Sequence, residues 1–143
     1  MEFNDFLQVV DSQHQDFAIQ VNKYFIDAKC KMKMESKASG YVVSYAHPKT
    51  KRSLLNFVFR KNGLFVRMYP QNFDNNISFN NLPKSMTMEI NKAPGCKDCS
   101  SKCQGFAFSI QNDKHYLCRY SFMFIVTEES KPILTDWVKT SLV

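Results

Sequence analysis

The 143-residue chain contains no apolar run near the ~18 residues that a membrane-spanning helix requires. It has only four glycines and five prolines, with no internal repeat, linker or low-complexity tract, which leaves a compact folded chain. The glycines are scattered, which excludes a phosphate-cradling loop. The three histidines lie far apart, so no local Ser-His-Asp or Cys-His arrangement is signalled. Paired carboxylates are unconvincing as well. Asp11, Asp16, Glu128 and Glu129 fall on or beside expected helices, where a solvated face or a helix N-terminus accounts for them. These absences point to a protein that is not an enzyme. The opening residues, Met1-Glu2-Phe3-Asn4-Asp5-Phe6, lack the basic and apolar regions of a secretory signal, so a cytoplasmic location is expected.

What is present suits one α+β domain over residues 1–143. Hydrophobic residues make up 44% of the chain and charged residues 22%, enough apolar material for a core without staples. Thirteen Phe and six Tyr predict that this core is rich in aromatic rings.

The apolar period divides the chain. Phe3, Phe6, Leu7, Val10, Phe17, Ala18, Val21, Tyr24 and Phe25 recur at three and four residues, which predicts one amphipathic N-terminal helix. His14 fills the missing step of that stripe and reads as a core-edge residue bonded locally. The period then changes to two. Lys29, Lys31 and Lys33 alternate with Cys30, Met32 and Met34. Further strands follow around Tyr41–Tyr45, Leu55–Phe59 and Leu64–Met68. Turns at Ser39-Gly40, Pro48-Lys49-Thr50 and Lys61-Asn62-Gly63 make these a four-stranded antiparallel meander. Pro83 starts a short middle helix with Met86 and Ile90 inward. Two strands are expected at 105–110 and 115–125, turning at Asn112-Asp113. Ser130 and Pro132 announce a C-terminal helix with Ile133, Leu134, Trp137 and Val138 on one face.

Cysteine supplies the sharpest chemical signal. Cys96, Cys99 and Cys103 are spaced C-x2-C-x3-C, and Cys118 follows. Five cysteines in a reducing compartment cannot all pair and do not favour disulfides. Thiolates at this spacing converge readily on a tetrahedral ion, so a structural zinc knuckle at about 94–125 is expected, its fourth ligand Cys118 or, in its place, His115. Reduced unligated thiols at such positions would be prone to oxidation. The spacing matches neither common ferredoxin pattern. A turn at Asn112-Asp113 would set Cys118 across from Ala107, four residues and about 13 Å of strand from Cys103. Cys30, alternating with lysines beside two methionines, reads as a buried small hydrophobe outside the cluster.

A second signal is charge. The net charge is +6. Lys29, Lys31, Lys33, Lys49, Lys51, Arg52, Arg60, Lys61 and Arg67 crowd the expected meander, with Tyr41, Phe65 and Tyr69 among them. A basic sheet face interleaved with rings suits single-stranded nucleic acid or another anion. The ordinary alternative is a solvated face with edge lysines that block aggregation.

The segment Gly105-Phe-Ala-Phe-Ser-Ile-Gln-Asn-Asp-Lys-His-Tyr-Leu-Cys-Arg-Tyr120 after the knuckle resembles a group of small uncharacterised bacterial proteins, mostly from Firmicutes. Ser39-Gly-Tyr-Val-Val-Ser-Tyr45 and Asn56-Phe-Val-Phe-Arg-Lys61 are similar too, so the likeness covers about residues 25 to 140. The resemblance implies a compact α+β domain with a cysteine cluster that includes Cys118, and implies no activity. The sequence thus leads to a non-enzymatic cytoplasmic binding or regulatory module with structural zinc. Nucleic-acid binding through the basic sheet is the first alternative, and a thiol-based redox or metal sensor the second.

Overall fold

The computed structural model describes residues 2–38, 40–69, 81–92, 106–110, 113–117 and 121–142, with 106–110 and 113–117 defined by their backbone. In chain order these form α1 (Phe3–Val9), α2 (Ser12–Asp27), β1 (Lys31–Lys37), β2 (Gly40–Ala46), β3 (Ser53–Arg60), β4 (Gly63–Met68), α3 (Lys84–Asn91), β5 (Phe106–Ile110), β6 (Asp113–Leu117), β7 (Phe122–Ile125) and α4 (Lys131–Ser141). The fold class is α+β. One sheet has five antiparallel strands in the order β1-β2-β3-β4-β7, and β5 and β6 form a separate two-stranded sheet.

Two expectations need correction here. The meander is not closed at four strands, because β7 pairs with β4, Met68 opposite Phe122 and Val66 opposite Phe124. The single strand expected over 115–125 is therefore two, in different sheets. Apolar residues alternate through that whole stretch, so periodicity could not reveal the division. Phe122 and Phe124, 0% and 1% exposed, are drawn to the core that the other four strands have begun.

The N-terminal helix is likewise two helices. The chain breaks at Val10 and Asp11, and Asp11 stands at the N-cap position of α2. The Gln15 amide spans the break, donating to the carbonyls of Leu7 (3.0 Å) and Val10 (3.1 Å) at the end of α1. A continuous stripe hides such a break. The Asp11-Ser12 pair, a favoured cap chemistry, was the local sign of it. The bend lets both helices reach one ring: Phe6 of α1 and Phe17 of α2 lie 5.6 and 6.3 Å from Phe57 of β3, centroid to centroid.

One face of the sheet carries Val43, Tyr45, Leu55, Phe57, Val66, Met68, Phe122 and Phe124, all buried. Phe25 of α2 stacks on Tyr45 at 4.5 Å, and Trp137 of α4 meets Phe124 at 5.7 Å, so the aromatic core expected from composition is present. The Tyr45 hydroxyl donates to Asn22 at 2.6 Å, and burial pushes its pKa up. In the middle helix Met86 and Ile90 are buried as expected. In α4 Leu134, Trp137 and Val138 are buried and Ile133 is half-buried. The buried Ser130 hydroxyl donates to the Ile125 carbonyl (3.0 Å) and accepts from the Thr127 amide (2.8 Å), fixing α4 to the end of β7.

Cys30 is a free thiol in the core, only 8% exposed, and burial raises its pKa, in line with a packing role. The cause is a cap. Lys29 takes a left-handed conformation (φ 63°), its amide bonds Ile26, and the Cys30 amide reaches back to Phe25, which together close the C-terminus of α2. Lys29 is thus a helix-cap residue and not a strand residue.

His14 is 9% exposed, at the core edge, but the expected local side-chain bond is missing: its Nδ1 has no hydrogen-bond partner among the described residues. Burial, and then the Lys131 ammonium, push its pKa below the ordinary 6.5, against weaker opposite pulls from Asp11 and Glu128. A lowered histidine pKa means that the unfolded chain takes up a proton which the folded one refuses. Stability is therefore expected to be complete above pH 6.5 and to fall as the pH drops from there towards the lowered value. Urea titrations of the wild type and His14→Leu check this. The two curves should run parallel above pH 6.5 and separate below it, the wild type losing stability relative to the variant as the pH falls; curves parallel throughout would refute the effect.

Candidate anion-binding face of the sheet

The opposite face of the sheet follows from the register. Lys33 of β1 pairs with Ser44, Ser44 with Asn56, Asn56 with Arg67 and Arg67 with Met123, so these five stand in one row across all five strands. Glu35, Val42, Val58, Phe65 and Ile125 form the next row on this face. Lys31 and Lys37 flank them on β1, Arg60 ends β3, and Tyr69 lies just beyond β4.

Charge is segregated along the chain, and five of the cations of its middle part, Lys31, Lys33, Lys37, Arg60 and Arg67, are on this face. Residues 29 to 69 contain ten Lys and Arg and a single carboxylate, Glu35. Residues 2 to 27, which make α1 and α2 on the covered face, contain five carboxylates and one lysine. Glu35 sits between Lys33 and Lys37, with 2.9 Å to each, and these two ammonium groups hold its carboxyl below the usual range. Sequence reading overlooked this group, although Lys33-x-Glu35-x-Lys37 at alternate strand positions places the three on one face.

The face is not uniformly open. Asn56 and Val58 are only 5% and 2% exposed, so β3 is covered on both sides. Its near-continuous apolar sequence, Leu-Leu-Asn-Phe-Val-Phe, was the available signal. Asn56 is satisfied: its amide nitrogen donates to Ser44 Oγ at 2.6 Å, and its oxygen accepts from the Tyr69 hydroxyl. Phe65, Arg67 and Tyr69 on one side of β3 are half-buried, while Lys31, Lys33 and Lys37 on the other are exposed.

The basic residues anticipated for this face divide into two groups. Lys31, Lys33, Arg60 and Arg67 are on it. Lys29, Lys51 and Arg52 lie in connections at the end where β1 starts and β2 leads into β3. Lys51 has a left-handed backbone (φ 64°) and donates its ammonium to the Pro48 carbonyl. Tyr41 does not join the rings of this face. It packs against the covered core with Val43 and Tyr45, as strand parity dictates.

Cys96, Cys99, Cys103 and Cys118 lie outside the described residues. His115 is in β6, paired with Phe108. The register of β5 and β6 differs from expectation: Ile110 pairs with Asp113, and Ala107 with Tyr116 where Cys118 was expected. Among the described residues no group of His, Cys, Asp and Glu is placed to hold a metal, and no helix is long and apolar enough to cross a membrane. A cleft of about 540 Å³ lies between α2 and α4, bordered by Asp16, Gln20, Thr135 and Asp136. There Lys131 donates to Glu128 and to the Gln13 carbonyl, both at 2.6 Å. No family model, curated protein or solved structure matches the chain.

Proposed function

We propose that the protein is a non-enzymatic cytoplasmic binding module that takes an anionic partner on the cationic side of its sheet, with a zinc ion stapling the cysteine segment. The observation that carries the binding role is the segregation of charge, ten cations to one carboxylate over residues 29–69. A surface built only for solubility mixes both signs, whereas a one-sided field steers and holds an oppositely charged partner.

The zinc role rests on the cysteine spacing and on the hairpin. A lone two-stranded sheet is marginal in water, and β5 and β6 form a sheet of their own, so a local staple suits them. The register helps. Leu117 pairs with Phe106, and one more pair in the same register would bring Cys118 within two residues of Cys103, about 7 Å of strand. His115, paired with Phe108, is farther from that end, which favours Cys118 as the fourth ligand. The metal is structural in this reading, and reversible release in a sensor is not required.

Titration of the full chain with a labelled heparin oligosaccharide and a labelled single-stranded oligonucleotide tests the binding role. Binding should weaken with salt, on the order of fifty-fold from about 50 to about 200 mM for four neutralised phosphates of a single strand. If neither probe binds at low salt, the proposed function is wrong.

A further inference from the structure

Arg67 differs from the other cations of the sheet. The lysines of β1 are exposed, and two of them share Glu35. Arg67 is half-buried, and no carboxylate lies within ion-pair distance of it among the described residues. Glu35 is three strands away in the sheet order, about 14 Å at the usual strand spacing. A guanidinium carries five donors in a rigid fork, and partial desolvation makes an unused fork costly. Such a group is suited to two acceptor oxygens of one anion.

Its surroundings narrow the anion. Phe65 and Tyr69 stand two residues before and after Arg67, so both rings lie on its face, each about 7 Å along the strand. Both are half-buried. The Tyr69 hydroxyl is tied to Asn56, and Asn56 to Ser44, so the floor beside the guanidinium is held in place before any ligand arrives. Lys33 closes the same cross-strand row at its far end.

We infer that Arg67 receives a phosphodiester and that Phe65 and Tyr69 offer stacking surfaces for the bases beside it, so that the anionic partner is a single-stranded nucleic acid. This rests on the proposed anion-binding role and assigns its ligand. The sugar rings of a sulfated polysaccharide and the backbone of an acidic peptide have no π face to stack on these rings, whereas every unpaired base has one. A duplex keeps its base faces stacked internally and cannot use the rings in that way.

The experiment compares wild type, Arg67→Ala, Arg67→Gln, Phe65→Leu and a Lys31/Lys33/Lys37→Ala triple variant. Each is titrated with a labelled single-stranded oligonucleotide and a labelled heparin oligosaccharide, and each melting temperature is recorded. Arg67→Ala should weaken oligonucleotide binding tenfold or more and heparin binding by a few-fold at most. Phe65→Leu should weaken only the oligonucleotide. Arg67→Gln preserves side-chain length and permits the same comparison if alanine lowers the melting temperature. The triple variant should weaken both probes alike. Equal losses for both probes on changing Arg67 would overturn the nucleic-acid assignment. Wild-type affinity in the Arg67 variants with loss in the triple variant would overturn the Arg67 site and leave the anion-binding role standing. Wild-type protein that binds neither probe removes that role itself.

Discussion

Gly40→Ala is expected to destabilise the protein by at least about 3 kcal/mol, which lowers the melting temperature by roughly 6–12 °C for a chain of this size. Two costs combine. Gly40 has φ +137°, a conformation that side chains rarely adopt, and a Cβ there would lie 1.9 Å from the Phe59 carbonyl oxygen and 2.9 Å from its carbon. Those are backbone atoms of β3, the strand covered on both faces, so they cannot move aside cheaply. Gly63 separates the two costs. Its φ is +136°, yet nothing lies within 4 Å of the position its Cβ would take. Gly63→Ala should therefore show the backbone strain alone, about 1–2 kcal/mol. Urea unfolding of both variants decides the matter: equal losses would mean that β2 and β3 do not approach so closely at Gly40.

Removal of the proposed zinc is the second large expected effect, and it should be local. Structural zinc in small finger-like sites carries an apparent binding free energy of about 10–16 kcal/mol, far more than a two-stranded hairpin can supply for itself. Freshly purified protein should show one bound zinc by native mass spectrometry. After chelation the amides of β5 and β6 should lose their protection from hydrogen exchange, while β2, β3 and β4 retain most of theirs. The melting temperature should also drop, by an amount that depends on free metal. Cys118→Ser should weaken zinc binding strongly and His115→Ala should not. The reverse pattern would exchange their roles. An apo mass in the fresh protein, or unchanged exchange after chelation, would remove the metal from the account.

The elements that could be read from sequence are those whose signal is local. The turns around Pro48 and Lys61, the inward Met86 and Ile90 of α3, and the buried face of α4 follow from side-chain period and turn chemistry. What escaped depends on contacts between distant residues. The break at Val10 is invisible in a stripe that remains apolar on both sides, because both helices face the same ring, Phe57. The split between β6 and β7 is invisible because Tyr116 and Phe122 share one alternation, although β6 pairs with β5 and β7 with β4. Of the candidate face, the cations were legible as composition, but their grouping was not. Lys29 and Lys51 have left-handed backbones that remove them from the strands. Tyr41 looked like a ring among cations until parity set it beside Val43 on the covered side. Arg67 owes its distinction to the neighbours that pairing gives it, and no linear window contains Asn56.

The pairing of β7 with β4 also has an evolutionary meaning. Helix α3 packs against β7, so the elements on either side of residues 93–121 are in contact. The segment between them carries the four cysteines of the proposed zinc site and the β5–β6 pair, which forms a sheet of its own. The closure cost of a segment whose flanking elements are in contact rises only slowly with its length. Changes in the length or thiol content of that segment are therefore expected to leave the five-stranded sheet in place, so that in descendants of this chain the proposed metal staple and the proposed anion-binding face could be altered or lost separately.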